Sequence, residues 1–523
     1  MLLKDLPVFF LDLQTTGAKP GAADILEVAW SLSDKDEVHS MLSAQAEDRP
    51  VPRRILSLTG IAAEELESAI PLAKIFERLY LDIQDRPAVI HFAQFERPFL
   101  KAAFETFERS EFPIICTHEI AKRLFPNLPA RGIKGLAGYF GHASGEFKRG
   151  ASHVEATKII WQHLVKELEA KGISTFVDMQ TWLSTEAPKK RTKYEYPMAK
   201  EKRLNLPKVP GVYRYVSQWG EILYVGKATS LHDRVNSYFR GQKGRDSFKL
   251  EMLTQAYDLI VTECRTPLES ALLETDEIKK YNPRYNISLK AGERGLVFFS
   301  RDFTSMSPEQ DDEHNIGPFS NALVFDSILK LNESLTSEEQ SFNPEMFFEP
   351  LDAELLKSGF ALFCERLGKS PDVFKSLRSI FAQGLIFVKN APDEEEDTEL
   401  SAEQEPESAE AVSDTAEDVE IELTSEDIAD KFERHFKRAA HAYLRARRMT
   451  KLLNCDIEYS LSAKGKKFQL HLRGGYPTPE PTLQERNTWS GHSVDTYDRM
   501  AVLLTELERV RSKNGQVSVQ RKY

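Results

Sequence analysis

Pro210-Gly-Val-Tyr-Arg-Tyr-Val-Ser-Gln-Trp-Gly-Glu-Ile-Leu-Tyr-Val-Gly226 holds two β-branched and aromatic runs joined by a short polar link. Val212–Val216 and Glu221–Gly226 read as the strands of a β-hairpin, with Ser217-Gln-Trp-Gly220 between them. A two- or four-residue loop centred on Gln218-Trp219 sets Tyr213 opposite Tyr224, and an odd-length loop breaks that pairing. Gly211 and Gly226 leave room for a backbone or ligand to come close. Alone, the two tyrosines are an ordinary aromatic cross-strand contact.

Working outward, Lys227 follows the second strand. Ser230 can cap a helix running Leu231–Phe239, with Leu231, Val235 and Tyr238/Phe239 as its apolar stripe and Arg234 one turn from Tyr238. A strand-like run ends at Thr262-Glu263. The helix Leu268–Glu274 carries an acid on an otherwise apolar stretch, and Lys279-Lys-Tyr-Asn-Pro-Arg-Tyr-Asn286 closes the unit.

Gly211-Val-Tyr213 and Tyr224-Val-Gly226 resemble the two halves of the GIY-YIG nuclease signature. From Leu206 to Lys290 the chain is similar to the amino-terminal endonuclease domain of UvrC and its single-incision relative Cho. The matching segments include Lys227, Arg234-Val, Tyr238-Phe239, Glu269-Ser-Ala-Leu-Leu-Glu274 and Pro283-Arg-Tyr-Asn286. The resemblance implies one divalent ion, Mg²⁺ or Mn²⁺, held by Glu274 with water and phosphate in its other positions. It implies that Arg234 clamps the scissile phosphate as a planar, permanently charged fork. Tyr224, or else Tyr213, would pass a proton to or from the attacking water, with Lys227 lowering the pKa of the phenol. Tyr213, Tyr238 and Asn286 would position these groups. Without that context Glu274 reads as a solvated helix glutamate.

Length, composition and charge fit this reading. At 523 residues the chain needs about three or four domains. No run of eighteen apolar residues is present, and the first residues lack the shape of a signal peptide, so a cytoplasmic protein with no membrane contact is expected. Cys116, Cys264, Cys364 and Cys455 lie in separate segments without metal-ligand spacing and read as reduced and structural. The net charge of −12 is local, because Asp393 to Asp427 holds seventeen acidic residues and no Lys or Arg, leaving the remainder net positive by five. That segment, poor in aromatics, reads as a disordered solvating linker, with nucleic-acid mimicry as the sharper alternative.

Toward the amino terminus, Val8-Phe-Phe-Leu-Asp12-Leu-Gln14-Thr-Thr-Gly17 and Ile25–Trp30 read as strands. Pro87–Glu96 and Ile114–Phe125 each lead into a helix, and His153-Val-Glu155 opens the last helix. Residues 6–169 resemble the DnaQ-type (DEDD) exonuclease fold, whose members use four carboxylates around two metals. Here the set is altered. Asp12 stands, but Gln14 replaces the expected acid on the same strand face. Glu96 and Glu155 stand where Asp is usual, and the expected His position is Gly150, with His153 out of register. Losing one charge from a two-metal cage weakens metal binding, so an exonuclease fold with weak or no activity is expected.

Residues 171–205 read as a basic connector, in which Lys189, Lys190 and Arg191 are candidates for phosphate contact. Residues 291–390 read as a mostly helical Cho/UvrC-like region, with Asn315-Ile-Gly-Pro-Phe319 similar to a segment of that family. Beyond the acidic linker, 391–427, residues 428–523 form a small basic α+β module. Its amphipathic helix, Ile428–Leu453, offers Arg445, Arg447 and Arg448 to DNA. These residues are too few for the second nuclease and helix-hairpin-helix parts of full UvrC.

The expected fold class is multidomain α/β and α+β. An RNase H-like exonuclease fold (1–170) precedes a GIY-YIG α+β nuclease domain (206–290), the linker and the carboxyl-terminal module. The resemblance implies a DNA-repair endonuclease making one incision 3′ to a lesion in damaged duplex, with UvrA-like and UvrB-like partners. A 3′–5′ proofreading-type exonuclease and a non-catalytic DNA-binding scaffold are the alternatives.

Overall fold

The computed structural model describes residues 1–46, 49–83, 86–108, 111–142, 147–186, 193–240, 246–287, 289–290, 294–338, 341–348, 350–374, 376–390, 423–479 and 487–520. They form two compact units, Met1–Val209 with Tyr213–Thr262, and Pro210–Val212 with Glu263–Tyr523.

In the first unit β1 (Phe9–Thr15), β2 (Ile25–Ser31), β3 (His39–Leu42), β4 (Ala88–Ile90) and β5 (Ile114–Cys116) make one sheet in the order β3-β2-β1-β4-β5. β1 runs antiparallel to β2 and parallel to β4. Successive side chains of a strand point to opposite faces, so an unbroken apolar run implies burial on both. Phe9, Leu11 and Leu13 enter one core with Ile75, Leu79 and Phe99. Phe10 enters another with Ala29, Val89 and the Gly150–Ala170 helix. This is the layered α/β arrangement expected from the sequence.

Within the expected connector, Phe176–Ser184 is a helix with Met179 in the second of those cores, and Leu3 N–H donates to Ser174 O at 2.8 Å. Lys189, Lys190 and Arg191 lie outside the described residues.

A second sheet of β6 (Gly211–Val216), β7 (Ile222–Ala228) and β8 (Asp258–Glu263) has the order β7-β6-β8. Its hairpin corrects the expected even loop. Ser217 N–H donates to Glu221 O at 2.8 Å and Gly220 N–H to Ser217 O at 3.1 Å, so three residues separate the closing pair. Gly220, at φ +86°, supplies the left-handed residue that such a bulged turn requires.

The Ile133–Tyr139 and Ser247–Gln255 helices meet in the same unit. Ala130 N–H donates to Thr254 Oγ1 at 3.0 Å, and Tyr257 OH to Tyr139 O at 2.9 Å. A Cβ on Gly138 would fall 1.7 Å from Oε1 of the fully buried Gln255. We expect Gly138→Ala to cost about 1–3 kcal/mol by overpacking, seen as a lower thermal midpoint. An unchanged midpoint would show that Gln255 moves aside freely.

The second unit contains the Pro267–Tyr281 helix and a sheet of β9 (Val297–Ser300), β10 (Met306–Ser307) and β11 (His314–Phe319) in the order β10-β9-β11. A further sheet of β12 (Cys455–Ser460), β13 (Lys467–Arg473), β14 (Tyr476–Thr478) and β15 (Gln516–Gln520) has the order β14-β13-β12-β15. The expected basic helix spans Ser425–Leu452, started by a Thr424–Asp427 capping box. Its apolar stripe joins two cores. Phe432 and Phe436 pack with Phe360 and Phe363 of the Ala353–Arg366 helix, while Met449 and Leu452 pack with Leu503 and Leu507.

Arg445, Arg447 and Arg448 have partners within this unit. Arg445 Nη2 donates to Ala501 O and Thr505 Oγ1, each at 3.2 Å, and Arg448 pairs with Glu508 at 2.9 Å. The Arg447 guanidinium lies 5.8 Å from the Tyr443 ring centre. Of the acidic stretch, residues 391–422 lie outside the described residues.

Candidate active site

β6, β7 and the Leu231–Ser237 helix bring four tyrosines and an arginine together. Tyr213 and Tyr215 project from β6, both fully buried. Tyr224 comes from β7, and Tyr238 follows the helix that Ser230 caps. The Tyr213 and Tyr224 ring centres are 6.1 Å apart, and the Tyr213 and Tyr238 hydroxyls 2.9 Å apart. The phenols meet although the turn has the odd length that was expected to part them. A Cβ on Gly226 would lie 2.5 Å from the Tyr213 hydroxyl, so only glycine lets these rings approach. Lys227 is half-buried at the end of β7.

Arg234 lies 5.5 Å from the Tyr238 ring centre and is hydrogen-bonded to Tyr213. Burial works against its charge, but Tyr213 and Tyr238 outweigh that and hold its pKa above the ordinary value. Burial and the neighbouring phenols push the Tyr213 hydroxyl well above the ordinary tyrosine value, so it stays protonated. Tyr224 is less buried than Tyr213 and is the better placed phenol for proton exchange with solvent-borne groups.

Tyr215 is the member that sequence reasoning missed. Among the described residues its buried hydroxyl has no hydrogen-bond partner, while its ring lies 5.6 Å from that of Tyr238. The signal was available, since Tyr213 and Tyr215 are two residues apart on one strand and share a face.

In the second unit, Glu274 is half-buried on the Pro267–Tyr281 helix, which Thr266 caps and Pro267 begins. Asn286 is buried past the helix end, its N–H donating to Pro283 O at 3.2 Å.

The exonuclease-fold residues assemble differently from the expected carboxylate set. Asp12 on β1 is buried, and Gln14 Nε2 donates to its Oδ2 at 3.0 Å. His153 Nδ1 lies 3.1 Å from Asp12 Oδ1, so the out-of-register histidine reaches the site. Glu155, two residues on and about 200° round the helix, is exposed and paired with Lys158 at 2.9 Å. Glu96 is buried, with Oε1 accepting from Leu13 N–H at 3.3 Å and Oε2 without a partner among the described residues. Burial and the Asp12 charge push its carboxyl well above the ordinary value.

Sequence reasoning also missed Glu27, a fully buried acid in the apolar strand β2 and opposite Gln14 in register. Its carboxylate is taken up by Arg149 at 3.0 Å, Ser40 at 2.6 Å and the Gly150 N–H at 2.8 Å. Among the described residues no group of three or more His, Cys, Asp and Glu is placed to hold a metal. The two-metal cage of DEDD exonucleases does not fit this site.

Burial lowers the His153 pKa, but the charge of Asp12 and its hydrogen bond outweigh burial and hold it above the ordinary 6.5. The stability contributed by the pair is fully present below the unfolded value and is lost as pH rises through the higher folded value. We expect thermal stability to fall more steeply between about pH 6 and about pH 8 in the unsubstituted chain than in His153→Gln. Equal slopes would mean that the pair contributes nothing.

Residues 209–287 match the family model of the UvrC-like GIY-YIG domain. A Mycobacterium tuberculosis (strain CDC 1551 / Oshkosh) protein named as a bifunctional exonuclease/endonuclease is 26% identical over 334 residues, covering 61% of this chain and 51% of that protein. The UvrABC system protein C of Chlorobaculum tepidum is 36% identical over 141 residues, covering 26% of this chain and 22% of that protein. The GIY-YIG N-terminal endonuclease domain of UvrC from Thermotoga maritima, solved with its catalytic magnesium, is 33% identical, covering 17% of this chain and 94% of that one with a TM-score of 0.16. The chain thus spans about half the length of the first relative and about a fifth of the second. It joins an exonuclease-like amino-terminal region to a UvrC-like GIY-YIG domain.

Proposed function

We propose that this protein is a metal-dependent GIY-YIG endonuclease of DNA repair. It nicks one strand of damaged duplex on the 3′ side of a lesion, as in nucleotide excision repair, with UvrA-like and UvrB-like proteins supplying recognition. The observation that carries this reading is the Tyr213–Tyr224–Tyr238–Arg234 cluster inside the segment matched to the UvrC-like domain.

Each residue has a role that its surroundings support. Arg234, charged and half-surrounded by phenols, binds the phosphate and balances its developing charge. Tyr213, kept protonated, orients the site through its hydroxyl contact with Tyr238. Tyr224 passes a proton to or from the attacking water. Tyr215, with an unpartnered buried hydroxyl beside these rings, is a further donor for an incoming polar group. On this reading Glu274 holds the metal ion, Lys227 assists the proton-passing phenol, and Asn286 positions these groups.

The Glu274 carboxylate is an oxygen donor on a well-capped helix, which suits one Mg²⁺ or Mn²⁺ ion. Such an ion, when bound, neutralises charge developing on the phosphate.

The amino-terminal fold contributes weak or no exonuclease activity on this reading. Asp12 is engaged by Gln14 and His153, burial and the Asp12 charge push the Glu96 carboxyl above the ordinary value, and Glu155 faces Lys158. The fold is retained for contacts with DNA or a partner.

A duplex carrying one bulky lesion tests the repair assignment, with UvrA-like and UvrB-like proteins present or absent. The expected result is a single nick 3′ to the lesion that depends on both proteins. Equal nicking of undamaged DNA without them would replace the repair role by another GIY-YIG activity.

A further inference from the structure

The Pro267–Tyr281 helix is gripped along one side by the layer built from β12, β13 and the Val494–Ser512 helix, all within the second unit. At its amino end, the hydroxyl of the capping Thr266 lies 2.8 Å from that of Tyr459, with both residues buried. In its middle, Leu268 and Leu272 enter the apolar core that holds Leu503 and Leu507. In its last turns, Asp276 pairs with Arg499, and Lys279 Nζ lies 2.6 Å from Asp498 and 3.1 Å from Asp495. Arg294, beyond the helix, also reaches Asp498 at 3.0 Å.

The charged attachments are costly to break. Asp498 is 3% exposed and Arg499 6%, so losing Asp276 strips the buried Arg499 of its carboxylate, and a carboxylate placed at 499 would be buried facing Asp276. Leu272 and Asp276 each lie two residues from Glu274, which on an α-helix is about 200° of rotation. Glu274 therefore points away from the gripped side. A helix fixed at its cap, middle and last turns on one side has its rotation set, and with it the direction of the carboxylate opposite.

We infer that this carboxyl-terminal layer is a positioning element for Glu274, acting through Asp498 and Arg499, neither of which touches the reacting groups. The inference rests on the reading of Glu274 as the metal-holding residue. It assigns to the carboxyl-terminal part of the chain a role in presenting the metal ligand.

The test uses the full-length chain carrying Arg499→Asp, the milder Arg499→Lys, and the charge swap Asp276→Arg with Arg499→Asp. Amide hydrogen exchange is followed in residues 267–281, and Mn²⁺ affinity is measured by electron paramagnetic resonance with Glu274→Gln as the blank. Arg499→Asp is expected to speed exchange in 267–281 by about ten-fold or more and weaken Glu274-dependent Mn²⁺ binding several-fold. Exchange in 9–15 should stay constant, Arg499→Lys should shift both readouts less, and the charge swap should recover part of each. Unchanged exchange would overturn the grip, and faster exchange with unaltered Mn²⁺ affinity would reduce it to packing and overturn the positioning role. Nicking is assayed separately on the unsubstituted chain. A chain that binds Mn²⁺ through Glu274 but never nicks would sink the nuclease reading while the comparisons above still decide the grip.

Discussion

Glu274→Gln is expected to lower Mg²⁺-dependent nicking by about 10³-fold or more while leaving the fold intact. Glutamine keeps the size of the side chain and removes the charge, so the substitution isolates the donor's electrostatic contribution. The helix does not depend on that charge, since its start is fixed by Thr266 and Pro267 and its packing by Leu268 and Leu272. Far-ultraviolet circular dichroism and thermal midpoint should match the unsubstituted chain. A variant retaining a tenth or more of the activity would show that Glu274 is not the metal-holding residue.

Arg234→Ala should cost about 10²–10³-fold in the nicking rate, and Arg234→Lys should recover only part of the loss. Lysine restores the charge but not the planar fork that grips two phosphate oxygens together. The surroundings are built for the guanidinium, with the Tyr238 ring 5.5 Å away and Tyr213 hydrogen-bonded to it. Full activity in Arg234→Lys would mean that a point charge suffices. Nearly full activity in Arg234→Ala would remove phosphate binding from its role altogether.

The residues of the tyrosine cluster were legible because they sit close together in sequence, on two adjoining strands and the helix that follows. Local spacing set Tyr213 facing Tyr224 and Arg234 one turn from Tyr238, while the resemblance implied that the four share one site; Tyr215 was missed although it lies two residues from Tyr213. The doubly buried β1 was legible for a similar reason, since Phe9 through Leu11 is apolar on both faces.

Long-range partners were not legible. The stripe of Phe432 and Phe436 announced an amphipathic helix but not that Phe360 and Phe363 cover it. The positive charges on that helix were legible, but not that Thr505 and Glu508 engage Arg445 and Arg448. In the exonuclease fold, aligning the last acid placed Glu155 in the site and left His153 out of register. The rotation of the helix reverses this, bringing His153 to Asp12 and turning Glu155 toward Lys158. Glu27 carried a usable signal, because an acid inside the apolar run Ile25–Trp30 must find buried partners.

The most direct test uses a lesion-bearing duplex labelled at either end and incubated in Mg²⁺ with UvrA-like and UvrB-like proteins. The unsubstituted chain is compared with Glu274→Gln and Asp12→Ala. One discrete nick that disappears in Glu274→Gln and persists in Asp12→Ala is the predicted result. Stepwise shortening of the 3′ end that disappears in Asp12→Ala and persists in Glu274→Gln would contradict it, placing the working chemistry in the amino-terminal fold.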